Sequence, residues 1–156
     1  MPKFYEGDIE DSENTVFVFG SNPLGINGNL VKGTGGAALV AVKNFGVLQN
    51  EKMDNCLSYS GRAYGLVTVV APGKRKSLSK MQITDNIRIL YQTAKTFPEK
   101  DFKIAYRNTD KPSLNGYTGK EMAEMFISAA DGDIPNNIWF SSEWKQYFNT
   151  SNKLWD

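Results

Sequence analysis

The chain has 156 residues, 18 Lys and Arg against 17 Asp and Glu, no histidine and one cysteine. A formal net charge of +1 creates no field that would draw nucleic acid or a membrane surface, so neither is an expected partner, and no apolar run reaches the roughly 20 residues of a membrane span. The absent histidine excludes Ser-His-Asp and Cys-His catalysis, histidine-ligated zinc and an imidazole base. Cys56 alone can make no internal disulfide, and Met1–Glu6 lacks the charged and apolar parts of a signal peptide. The expectation is one domain over residues 1–156, cytoplasmic, with no cofactor and no metal.

Residues 15–20, Thr-Val-Phe-Val-Phe-Gly, are β-branched and aromatic and predict a strand buried on both faces. Residues 21–35 are rich in Gly and Asn and predict a loop of the length that is functional or disordered. Residues 36–45 are apolar nearly all round and predict a buried helix, stopped by Gly46. Residues 47–62 carry no clear period. Tyr64–Ala71 predicts a second buried strand closed by Pro72-Gly73. Ser79-x-x-Gln82 is a capping box; Ile83, Ile87, Leu90, Ala94 and Phe97 then form one face of a helix ended by Pro98. A third strand over 102–106 leads through a loop to a second box, Thr118-x-x-Glu121, with Met122, Phe126 and Ala129 facing inward. A short strand over 137–140 precedes a final helix capped by Ser141 or Ser142 and carrying Trp144 and Phe148. This alternation predicts an α/β fold with a mostly parallel sheet, helices on both faces, and a ligand beyond the C-terminal strand ends.

Gly25, Gly28, Gly33, Gly35 and Gly36 lie at a strand-to-helix junction, where backbone N–H groups approach a phosphate and the helix dipole favours an anion. A flexible surface loop with a glycine helix start fits the same residues. The loop is neither a phosphate-binding Gly-x-x-x-x-Gly-Lys-Ser/Thr motif nor a dinucleotide fingerprint. Gly116-Tyr117-Thr118-Gly119 alone is a common turn; facing the first loop, it would clasp a diphosphate from the other side. Lys74-Arg75-Lys76 reads as a solvated turn, and Glu10, Asp11 and Glu13 as a solvated acidic stretch. Cys56, with no histidine to activate it, reads as a small buried residue. Trp139, Trp144, Tyr147, Phe148 and Trp155 read as core and C-terminal packing.

Taken in order, these pieces resemble macrodomains. Gly7-Asp8-Ile9 is followed, 14 residues after Asp8, by Asn22 at the end of an apolar strand. Gly33-Thr-Gly-Gly-Ala-Ala-Leu-Val-Ala41 is similar to the family's glycine cluster opening an apolar helix. Thr68-Val-Val-Ala-Pro72, Ile104-Ala-Tyr106, Gly116-Tyr-Thr-Gly119 and Ile138-Trp-Phe-Ser141 resemble its later segments. The long Gly/Asn loop looks most like compact macrodomain-like proteins of tailed bacteriophages.

The resemblance implies a three-layer fold that binds ADP-ribose or a close derivative. Asp8 would accept a hydrogen bond from the adenine amine, with the Ile9 backbone beside it. Asn22 would bind the distal ribose. Gly33, Gly35 and Gly36 would lie along the diphosphate, and Asn115, Gly116, Tyr117, Thr118 and Gly119 would wrap it from the other side. Phe140 and Ser141 would flank the adenine. The family's hydrolase machinery is not matched: Ala37 and Ala38 stand where a valine and an acid follow the glycines, and Thr68 stands near the place of a histidine. Catalysis, as a 1″-phosphatase or ADP-ribosyl hydrolase, would rest on Asn22 and a water, with Asn27, Lys32 or Asp110 assisting. The alternatives are a binder that sequesters a NAD-derived signal or reads ADP-ribosylated macromolecules, an interaction protein without a nucleotide, and a nucleic-acid binder using residues 74–80.

Overall fold

A computed structural model describes residues 2–25 and 36–149. The strands are β1 (Lys3–Tyr5), β2 (Thr15–Ser21), β3 (Cys56–Leu57), β4 (Ala63–Val67), β5 (Asp101–Ile104) and β6 (Ile138–Ser141). The helices are α1 (Ala37–Asn44), α2 (Lys80–Thr96), α3 (Gly119–Ala129) and α4 (Lys145–Asn149), the last entered through a 3-10 turn at Ser142–Trp144. One sheet has the order β1-β6-β5-β2-β4-β3. All neighbours pair parallel except the edge strand β3, which is antiparallel to β4.

Strand alternation explains the three layers. In β2, Val16 and Val18 face one way and join Tyr64, Leu66, Phe102, Ile104, Ile138 and Phe140 beneath α2, α3 and α4. Phe17 and Phe19 face the other way and join Ala41, Phe45 and Ala63 beneath α1, with the Phe17 and Phe45 rings stacked at 4.5 Å. A strand covered on both faces reads as an unbroken apolar run, as residues 15–20 do. Both capping boxes form. Ser79 accepts from Gln82 N and Thr118 from Glu121 N, while each glutamine or glutamate side chain accepts from its cap's backbone N–H. The helix faces expected behind them are buried, except that Phe97 serves as the C-cap of α2 and is only half-buried.

Several expectations need correction. α1 is not buried all round: Ala41 alone is enclosed, because only one face meets the sheet. β4 stops at Val67 rather than continuing to Ala71. Thr68 N still donates to Ser21 O at 3.1 Å, but Val70 N turns away to the Ser77 hydroxyl at 3.0 Å. Cys56 is exposed, because it sits on the two-residue edge strand β3. Trp144 and Phe148 belong to the core, whereas Trp139 is half-buried; Trp155 lies outside the described residues. Among the described residues, no helix is long and apolar enough to cross a membrane.

Candidate functional site

Five parallel strands bring their C-terminal ends to one edge of the sheet. Across it, β1 delivers Gly7 and Asp8, β6 Ser141, β5 Tyr106 and Arg107, β2 Asn22, and β4 Thr68. Asp8 and Asn22 leave strands separated by three sheet positions, a span of about 14 Å at about 4.8 Å per strand.

Asn22 is buried at 4 % exposure. Its side-chain oxygen accepts from Leu24 N at 3.0 Å, which folds the chain back as it leaves β2. Asn27, Lys32, Gly33 and Gly35 lie outside the described residues. The chain is described again at Gly36, the N-cap of α1, whose φ of 68° belongs to the left-handed region. α2 and α3 each start with a side-chain cap; among the described residues α1 starts on a glycine without one. A β-carbon at Gly36 would lie 3.4 Å from Leu114 Cδ1, so the start of α1 meets the second glycine loop.

That second loop is tied to itself and to a basic turn. The Asn115 side-chain oxygen accepts from Tyr117 N at 2.9 Å and from the Ser113 hydroxyl, and Ser113 N donates to Tyr117 O at 2.8 Å. Lys76 N donates to Asn115 O at 2.7 Å and the Tyr117 hydroxyl to Leu78 O at 2.7 Å. Lys76 Nζ stands 5.5 Å above the Tyr117 ring, a cation–π contact. Lys74, Arg75 and Lys76 are exposed, as a solvated turn would be, but the turn is bolted to the loop beside α1.

The glycines and the cap in this loop have structural partners. A β-carbon at Gly116 would come within 2.9 Å of Lys76 Cγ, so its open side is filled by the basic turn. Gly119 lies against the Asn108–Thr109 backbone and donates its N–H to Thr109 O at 2.9 Å. Thr118 is spent on the α3 cap. These N–H groups are taken within the fold, which gives Gly119 and Thr118 a structural role beside the one the resemblance implies. Phe140 needs correction. Pointing into the α3–α4 side of the sheet, it is fully enclosed, 5.3 Å from the Phe126 ring and 4.6 Å from Phe148, and offers no face to a base. The Ser141 hydroxyl caps the 3-10 turn by accepting from Glu143 N at 3.3 Å.

At the β1 end, Arg107 reaches over β6. Its Nη1 donates to Asp8 Oδ1 at 2.9 Å and its Nη2 to Gly7 O at 2.6 Å. The Asp8 carboxylate beside it raises the Arg107 pKa further. Arg107 Nε is buried without a hydrogen bond, 3.8 Å from Glu143 Oε1. Ile9 turns back beneath the sheet and packs with the Phe17 and Phe19 cluster. Asp110 shares a shallow groove of about 300 Å³ with Arg107, Asn108, Thr109, Lys111 and Glu143. Asn22 is not among the residues that line this groove.

Tyr106 fills the centre of the edge. Its hydroxyl lies over Gly20, 3.4 Å from Thr68 Oγ1 and 3.5 Å from Asn115 Nδ2, and its ring stacks on Trp144. Burial pushes the phenol up to about 12, against the opposing pull of the Thr68 and Asn115 contacts.

A larger groove of about 540 Å³ opens at the opposite edge, lined by Lys95, Pro98, Asp131, Asp133 and Pro135 among others. It sits under the C-terminus of α2, whose carbonyls, together with the two aspartates, disfavour an anion. Asn137 there donates to the Ala94, Phe97 and Lys100 carbonyls. Among the described residues, no group of three or more Cys, Asp or Glu could hold a metal ion.

Sequence reasoning passed over Arg107 and Tyr106. Tyr106 reads only as the end of the Ile104-Ala-Tyr106 strand, Arg107 sits in no recognisable motif, and the partners of Arg107 are about a hundred positions away. No protein-family model, curated protein or solved structure matches the chain.

Proposed function

We propose that the C-terminal edge of the sheet binds ADP-ribose or a close derivative. The base lies toward Asp8, the diphosphate toward the start of α1, and the distal ribose toward Asn22. The observation that carries this reading is the glycine start of α1 at Gly36, set at the same sheet edge as Asn22 and touching the loop around Leu114. Backbone N–H groups in a helix's first turn favour a phosphate without requiring net charge, which suits a chain at +1. The span of about 14 Å from the end of β1 to the end of β2 suits a ligand with two nucleoside-sized ends better than a mononucleotide. The ligand class comes from the macrodomain resemblance.

Binding, rather than rapid turnover, is the activity this arrangement favours. Asp110 lines the groove beside Arg107 and Glu143, of which Asn22 is not a part, and the chain has no imidazole. Hydrolysis of a 1″-phosphate by a positioned water is the enzymatic form of the same reading. Calorimetry tests it: ADP-ribose binds more tightly than AMP, and Asp8→Ala weakens ADP-ribose with the fold intact. Equal affinity for ADP-ribose and AMP overturns the assignment of Asn22 to a second ribose.

A further inference from the structure

We infer that Arg107 is a positioning residue that sets base selectivity at the Asp8 end of the site, an inference that rests on the nucleotide reading above. Asp8 is exposed and follows a glycine with φ 69°, so nothing in its own segment fixes the direction of its carboxylate. Arg107 does so from a distant part of the chain. One nitrogen holds Asp8 Oδ1 and another holds the Gly7 carbonyl, so a single planar guanidinium fixes both the side chain and the backbone that carries it. The Glu143 carboxylate, 3.8 Å from Nε, stands on the far side of the guanidinium.

With Oδ1 engaged, Oδ2 is the oxygen a base edge meets. A carboxylate accepts and cannot donate. It pairs with the exocyclic amine of adenine and repels the carbonyl that hypoxanthine carries at the same place. A carboxylate free to swing would make neither interaction well. On the nucleotide reading the base is a 6-aminopurine; what Arg107 adds is that discrimination against the 6-oxo form depends on it as well as on Asp8.

The experiment measures the affinities of ADP-ribose and its hypoxanthine analogue for the intact protein, Arg107→Gln, Arg107→Lys and Asp8→Asn, with a thermal melt of each. The intact protein should prefer the adenine form by about tenfold or more, the scale of one charge-assisted hydrogen bond. Arg107→Gln should bring ADP-ribose down to the affinity of the hypoxanthine analogue, leaving the latter unchanged. Arg107→Lys should restore only part of the ratio, because an ammonium does not span Asp8 and Gly7 in one plane. Asp8→Asn should lose or invert the preference, since its amide can donate to the 6-oxo group, and this variant keeps the test open if Arg107→Gln does not fold. A folded Arg107→Gln with the full preference overturns the inference and leaves the nucleotide reading standing. Failure of the intact protein to bind either nucleotide overturns both.

Discussion

Replacing Gly119 with alanine separates two explanations of the second glycine loop. If the loop wraps a diphosphate, Gly119→Ala costs affinity and leaves the fold alone. The structure gives the glycine another reason. A β-carbon there would overlap the Asn108 carbonyl and stand 2.9 Å from Thr109 Cα, and both are backbone atoms with little freedom to move. Relieving the overlap pushes residues 108 and 109 away from α3. That strains the Gly119 N to Thr109 O bond of 2.9 Å and the Trp144 Nε1 to Asn108 O bond of 2.8 Å, and Trp144 is fully buried. Overpacking of this kind costs about 1–3 kcal/mol, and two weakened hydrogen bonds add about 1 kcal/mol each. A loss of about 3 kcal/mol at the low end corresponds to about 6–12 °C in the melting midpoint of a domain this size. The assay is a thermal melt followed by circular dichroism, with ADP-ribose binding measured on the same samples. A midpoint unchanged within about 2 °C, together with lost binding, would refute the packing explanation and return Gly119 to the ligand.

Two further expectations concern ionisation and rate. Glu121 is held down at about 2, first by the Thr118 N–H and then by Lys80, whose Nζ is 2.9 Å away. The unfolded chain, with an ordinary glutamate near 4.5, takes up this proton first, so the stabilisation is full above that pH and fades as pH falls toward 2. Glu121→Gln keeps a cap acceptor but cannot titrate; at neutral pH it should be less stable than the intact protein by about 1 kcal/mol, a gap that closes in acid. Melting curves that stay parallel from neutral pH to pH 2 contradict this. Turnover of ADP-ribosylated protein should stay below roughly 10 s⁻¹ and show no limb near pH ~6.5, where an imidazole would titrate. Faster hydrolysis would mean that a carboxylate or lysine outside the assignments made above reaches the distal ribose.

Local signals carried most of the fold. A capping box needs only residues three apart, so Ser79-x-x-Gln82 and Thr118-x-x-Glu121 were legible, as was β2, buried on both faces. β1 and β3, with three and two residues, are edge strands with no room for a pattern. Val69–Ala71 has strand composition, yet it leaves the sheet, with Val70 N meeting the Ser77 hydroxyl, a side chain outside the run. The glycines of the candidate site were visible as glycines, but their neighbours were not. Only the folded chain shows Gly116 against Lys76, Gly119 against Asn108, and Gly36 beside Leu114. The resemblance gives Phe140 to the base; strand alternation turns its side chain into the core. Arg107 was illegible for the opposite reason, since its partners Gly7 and Asp8 lie at the other end of the chain.

The most direct test is amide chemical-shift mapping of 15N-labelled protein titrated with ADP-ribose. Shifts should appear at Gly7 and Asp8, at Asn22, through Gly36–Leu39 in the first turn of α1, and at Leu114. The groove formed by Asp131–Asn137 at the opposite edge should remain still. Shifts confined to that groove, or none at saturating nucleotide, would contradict the assignment of the C-terminal sheet edge as a nucleotide site.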